Sequence, residues 1–101
     1  MGNKARQLRG NMFRLWAKIY SSGKIVKNMT IENPDSSMNR TKKIFNAIDS
    51  VCYAYDLSKP IWLDKNIKEF KKNSRTGFTK DNFVDETEFD FLEIEVIEED
   101  F

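Results

Sequence analysis

The apolar residues of this 101-residue chain change period twice, and that succession limits the fold more than any other feature. Over residues 13–20 they alternate. Phe13, Leu15, Ala17 and Ile19 point one way, and Arg14, Trp16, Lys18 and Tyr20 the other. A period of two in β-favouring residues predicts a half-buried strand. Ser21-Ser22-Gly23-Lys24 reads as a turn, and residues 25–31 as the returning strand of a hairpin. Asn33-Pro34-Asp35-Ser36 ends it, because Pro34 has no N–H to give a ladder.

From Ser37 the spacing becomes helical. Thr41, Ile44, Phe45, Ile48, Val51, Cys52 and Tyr55 fall on one face, which predicts a helix over residues 37–55 capped by Ser36, Ser37 or Asn39. Lys59 precedes Pro60 and is biased away from helix, and Ile61-Trp62-Leu63 forms a short apolar anchor. Asp64 is placed to cap a second helix over residues 65–73, with Ile67 and Phe70 inward. Gly77 breaks that pattern, and Thr79 is placed to cap a short turn through Phe83. Over residues 88–97 the period of two returns, with Leu92, Ile94 and Val96 on one face and Phe91, Glu93, Glu95 and Ile97 on the other.

The order β-β-α-α-β predicts an α+β fold, a three-stranded sheet with two helices packed on one face. Charge selects the strand order. Residues 1–80 hold all 17 Lys and Arg against six acids, a net of +11; residues 81–101 hold ten acids and no base, a net of −10. Pairing the first strand with the last sets Arg14 and Lys18 on the same side as Glu93 and Glu95. Each cross-strand pair of opposite charge contributes about 0.2–1 kcal/mol. The expected order is therefore 2-1-3, with the first and last strands parallel if the two helices go out and back. Residues 1–11, polar and without a period, read as a flexible basic arm, and residues 12–101 as a single domain.

The side-chain inventory removes several chemistries. The chain has no histidine and one cysteine, Cys52, so His-based triads, the usual zinc sets and an internal disulfide are excluded. The four glycines stand singly and make no phosphate loop, the acids after Asp81 lack calcium-loop spacing, and no cofactor is expected. Cys52 lies in the apolar stripe of the first helix and reads as a packed thiol. No apolar run is long enough to span a membrane, and Arg14 and Lys18 interrupt the stretch that would follow a secretory n-region. The expected setting is the reducing cytoplasm.

Two surfaces stand out. The outer sheet face, with Arg14, Trp16, Lys18, Tyr20, Phe91 and Ile97, is the candidate interaction surface for a protein partner or a second copy. Glu93 and Glu95 on that face repel phosphate, which disfavours it as a stacking platform for single-stranded nucleic acid. The helices carry Arg40, Lys42, Lys43, Lys65, Lys68, Lys71, Lys72 and Arg75, a candidate anion-binding patch without interleaved aromatics. A non-enzymatic protein-binding or self-associating module is the leading expectation, and nucleic-acid binding through the arm and helices is the alternative.

Five segments carry a resemblance. They are Phe13-Arg14-Leu15-Trp16, the run from Arg40 to Ala47, the run from Asp56 to Leu63, the run from Phe78 to Phe83, and the run from Phe89 to Ile94. Together they resemble a group of short bacterial proteins of unknown function, chiefly clostridial, over about residues 12–101. The resemblance implies a bacterial, cytosolic, single-domain protein. It implies no activity and transfers no functional residue.

Overall fold

The hairpin forms where the alternation places it. The computed structural model describes residues 12–99, so the arm expected over residues 1–11 lies outside the described residues. Strand β1 (Phe13–Ser21) and strand β2 (Lys24–Asn33) pair antiparallel around a two-residue turn. Its Ser22 and Gly23 both have positive φ, 55° and 78°, the handedness that matches the twist of the flanking strands. The Ser22 N–H also donates to Asp90 Oδ2 at 2.8 Å, which ties the turn to the segment leading into the last strand.

Helix α1 spans Arg40–Tyr55, beginning at the last of the three expected caps: Asn39 Oδ1 accepts the Lys42 N–H at 2.8 Å. It ends at Asp56, which takes a left-handed conformation with φ 56°. Helix α2 spans Asp64–Asn73. Asp64 is its first residue rather than its cap. Leu63 is the N-cap, and Asn66 reaches back to accept the Leu63 N–H at 3.0 Å.

The sheet has four strands, not three. Strand β3 (Arg75–Thr79) and strand β4 (Phe91–Glu98) complete the order β2-β1-β4-β3, and every neighbouring pair is antiparallel. The first strand does lie beside the last, but the two are antiparallel, correcting the parallel expectation. The short β3 makes the return passage that the sequence reading assigned to β4, so β4 runs back the other way. Gly77, expected to break structure, sits mid-strand between buried Thr76 and Phe78. Thr79 then caps a short 3-10 turn, Lys80–Asn82, as expected.

One core sits between the sheet and the helices. Leu15, Ala17, Ile94 and Leu92 from the strands, Ile44, Ile48 and Val51 from α1, and Phe70 from α2 are all buried in it. Each fully buried aliphatic or phenyl side chain contributes about 1.5–3 kcal/mol. Beside this core lies a buried polar knot. Asn66 and Asn82 are each 0% exposed. Asn66 Oδ1 accepts from Leu63 N–H at 3.0 Å and from Asn82 Nδ2 at 2.7 Å. Asn66 Nδ2 donates to Thr76 Oγ1 at 2.9 Å and to the Gly77 carbonyl at 3.0 Å. Asn82 Oδ1 accepts from Thr79 N–H at 2.9 Å, and its Nδ2 also donates to the Ile61 carbonyl at 2.7 Å. Ile61 N–H in turn donates to the Asn82 carbonyl at 2.6 Å. The donors and acceptors of both amides are filled.

Removing either amide orphans its buried partners. Asn66→Ala and Asn82→Ala are each expected to cost about 3 kcal/mol in urea unfolding. The double variant should cost clearly less than the sum, because it removes an orphan that each single change creates.

Candidate interaction surfaces

The outer face of the sheet is a lattice of opposite charges. Register sets Lys18 opposite Asn28 on β2 and Glu93 on β4, and Trp16 opposite Thr30 and Glu95. Lys18 Nζ lies 3.0 Å from Glu93 Oε1 and 3.0 Å from Glu95 Oε1, and 3.9 Å from the centroid of the Trp16 ring. Arg14 donates from Nε to Glu98 Oε1 at 2.6 Å and pairs on its other side with Glu32. Arg75 Nε reaches Glu93 Oε2 at 3.7 Å. The acids of the last strand therefore neutralise bases of the first, the arrangement on which the expected strand order rested.

That neutralisation consumes most of the first candidate surface. Arg14, Trp16, Lys18, Tyr20 and Phe91 do share one face, but Lys18 sits over Trp16, Tyr20 stacks on Phe91, and Arg14 is paired with Glu32 and Glu98. Lys18 is only 5% exposed. Trp16 donates from Nε1 to Asn28 Oδ1 at 3.2 Å, and Tyr20 stacks on Phe91 at a centroid distance of 4.6 Å and an angle of 16°. All three rings are half-buried. Ile97 departs from the group. A register shift between Arg14 and Leu15 sets Glu98 opposite Arg14 and leaves Ile97 as the extra residue of a bulge.

The basic helical patch divides in the same way. Arg40 is engaged, with Nε donating to Glu99 Oε1 at 2.7 Å and Nη2 to Ser74 Oγ at 3.1 Å, while its guanidinium lies 5.4 Å from the Phe70 ring centroid. Arg75 belongs to the sheet lattice, and Lys43 is half-buried near the Phe13 ring. Lys42, Lys65, Lys68, Lys71 and Lys72 are exposed and have no ion pair among the described residues.

Between the helices lies a feature the sequence reading missed. Ile44 and Phe45 of α1, Ile67 and Phe70 of α2 and the linking Trp62 line an apolar groove of about 320 Å³, with Arg40 and Lys71 at its margin. Phe45 and Ile67, expected to point inward, are 48% and 40% exposed. Trp62 joins the groove to the core through edge-to-face contacts with Phe45, Phe70 and Phe78 at centroid distances of 6.0, 5.5 and 5.1 Å. Aromatic rings thus do stand within the basic patch, correcting their expected absence. The knot sets this geometry, since Asn82 holds both polar groups of Ile61 and Asn66 holds Leu63, the two neighbours of Trp62.

A second cavity, of about 420 Å³, opens at the hairpin end among Lys27, Tyr55, Leu57, Glu86 and Phe89. The Tyr55 hydroxyl is buried there without a hydrogen-bond partner among the described residues, and burial pushes its pKa up. Among the described residues no cluster of His, Cys, Asp and Glu is arranged to hold a metal ion, and no helix is long and apolar enough to cross a membrane. Cys52 is 3% exposed, and burial, with Asp49 nearby, pushes its thiol up to about 11. It is a protonated packing group at neutral pH.

Two measurements check these assignments. Burial pulls the Lys18 pKa down, but hydrogen bonds to Glu93 and Glu95 outweigh it and raise the value above 10.5 overall. A raised lysine pKa stabilises the fold fully below the unfolded value and stops doing so as pH climbs through the folded one. Lys18→Met should therefore cost about 3 kcal/mol at neutral pH. The gap between wild type and variant should narrow as pH rises past 10.5, measured by urea unfolding. Cys52 should react with an aromatic disulfide reagent only at the rate of unfolding in buffer, and at once in denaturant. No protein-family model, curated protein or solved structure matches the chain, so its own geometry carries the functional reading.

Proposed function

We propose that this chain is a non-enzymatic interaction module that takes a segment of a protein partner in the groove between α1 and α2. The observation that carries the proposal is a concentration of exposed apolar side chains in that region. Phe45 and Ile67, which line it from α1 and α2, are 48% and 40% exposed, and Ile61 and Leu63, outside the lining in the link that carries Trp62, are 49% and 37% exposed. Contiguous exposed apolar groups around a concave site mark recognition surfaces. The outer sheet face is the weaker choice, because its polar groups already satisfy each other.

Self-association by strand addition at the sheet edges is disfavoured. Strand β2 is an open edge, but a bulge at Val26 distorts it and Lys24 and Lys27 flank that bulge. Edge strands with bulges and lysines resist strand addition. At the opposite edge, β3 has only five residues. A reducing, cytoplasmic setting belongs to the same proposal, supported by the single buried cysteine, as does the bacterial origin implied by the resemblance. Nucleic-acid binding is the second reading, favoured by the exposed Lys65, Lys68 and Lys72 on the helix that carries Ile67.

Selection from a random peptide library displayed on phage tests the groove. Enriched peptides should bind the wild type and lose about tenfold or more in affinity, at least 1.4 kcal/mol, against Phe45→Ala and Ile67→Ser variants that retain their circular dichroism. Peptides that bind wild type and both variants equally would remove the groove as the site. A single-stranded oligonucleotide that binds with steep salt dependence would favour the second reading.

A further inference from the structure

We infer that the groove's occupant is an acidic segment with a large apolar anchor, and that Glu99 is a built-in competitor for the carboxylate seat on Arg40. This rests on the groove reading and specifies its ligand. The margin supplies the first half of the argument. Arg40 and Lys71 flank the apolar lining, and Lys68 and Lys72 follow on α2 with no acid paired to them among the described residues. Of the two acids of that helix, Glu69 accepts from Thr76 Oγ1 at 2.5 Å, and Asp64 stands in the first turn, with no ion pair among the described residues. The field at the mouth is positive, and it draws carboxylates.

The lining supplies the second half. Inside the charged margin, the lining gives a sugar-phosphate backbone only the Thr41 hydroxyl and the indole N–H, whereas Ile44, Phe45, Trp62 and Ile67 match a Leu or Phe side chain. A volume of about 320 Å³ lies at the low end of the range for ligand pockets, about 300–1,000 Å³. It seats an anchor residue or two from an extended segment rather than a whole folded domain. Nucleic acid would engage the lysines and could stack a base on Phe45, but it would leave the aliphatic Ile44 and Ile67 without a matching apolar side chain.

Glu99 shows how a carboxylate occupies the margin. Its side chain is 18% exposed and accepts the Arg40 Nε–H at 2.7 Å, while Ser74 Oγ takes Nη2. A partner's carboxylate reaching Arg40 meets a guanidinium whose best donor edge is already taken. The intrachain acid is always at hand, so it sets a threshold the partner must exceed, as any tethered competitor does. Removing it frees Nε for a partner's carboxylate, with Nη2 still donating to Ser74 Oγ.

The test uses a short fluorescein-labelled peptide with Phe and Leu at its centre and glutamates on both sides, followed by anisotropy and by the indole and isoleucine methyl signals in NMR. The peptide should bind the wild type and shift Trp62 and Ile67. It should bind Glu99→Ala about three- to tenfold more tightly, and Glu99→Gln should also gain, as loss of the competing charge requires. Replacing its Phe and Leu by Ser, or its glutamates by Lys, should abolish binding. Equal affinity for wild type and both Glu99 variants would overturn the competitor. Preference for the lysine peptide, or for an oligothymidine at the same signals, would overturn the acidic ligand. If library-selected peptides need Ile67 but are neutral or basic, this inference fails and the groove reading stands. If the acidic peptide binds Ile67→Ser undiminished, both fail.

Discussion

The Asn66–Asn82 pair is the constraint on which the second half of this chain depends. Helix α2, strand β3 and the 3-10 turn are all short, of ten, five and three residues. The two amides fix them jointly. One amide holds the start of α2 to β3, and the other holds the turn after β3 to Ile61. Because both are fully buried and fully bonded, any rearrangement of these elements leaves a buried polar atom alone, at about 1–3 kcal/mol for each. A half-satisfied network would be worse than an apolar one, so the knot acts as a single unit. Trp62, between two residues that the knot grips, is held at the junction of groove and core.

Electrostatics does a different job on the far side of the sheet. The chain carries a strongly basic portion and a strongly acidic end. Left in solution, such portions attract one another in many arrangements. The β1–β4 pairing chooses one. It sets Lys18 between Glu93 and Glu95, out of water and over the Trp16 ring. Burying an ammonium without partners is costly, so Lys18 penalises any slipped register that moves those carboxylates away. The exposed pair of Arg14 with Glu32 adds less, since salt and solvent screen it. The lattice contributes more to specificity of pairing than to stability.

Much of this was legible in the sequence, and the reasons for the rest are physical. Alternation over β1 and β4 was plain because one face of β1 is buried throughout and that of β4 at Leu92 and Ile94, and charge then chose their adjacency. Strand β3 escaped because five residues around Gly77 give only Thr76 and Phe78 as a periodic signal, and glycine normally weakens a strand. Missing it also reversed the expected direction of β4. The knot escaped because Asn66 and Asn82 are separated by 16 residues and amide pairing has no period. The groove escaped for another reason. Phe45 and Ile67 lie on helical stripes that read as core, and periodicity reports that a face is apolar, not whether something covers it.

That last distinction decides between the two surfaces. The outer sheet face is rich in aromatic and charged residues, the composition of an interface, yet each group there already has a partner within the same chain. A ligand would have to break the Lys18 cluster to gain its contacts. The groove has the opposite character. Its lining Trp62 packs edge-on against Phe70 and against the buried Phe78 behind it, so that part of the lining is preorganised, and covering it breaks nothing but the Arg40–Glu99 pair. Binding there costs little ordering, which is the condition under which a small concave site yields useful affinity. The same acidic end that closes the sheet lattice therefore also touches the margin of the apolar groove.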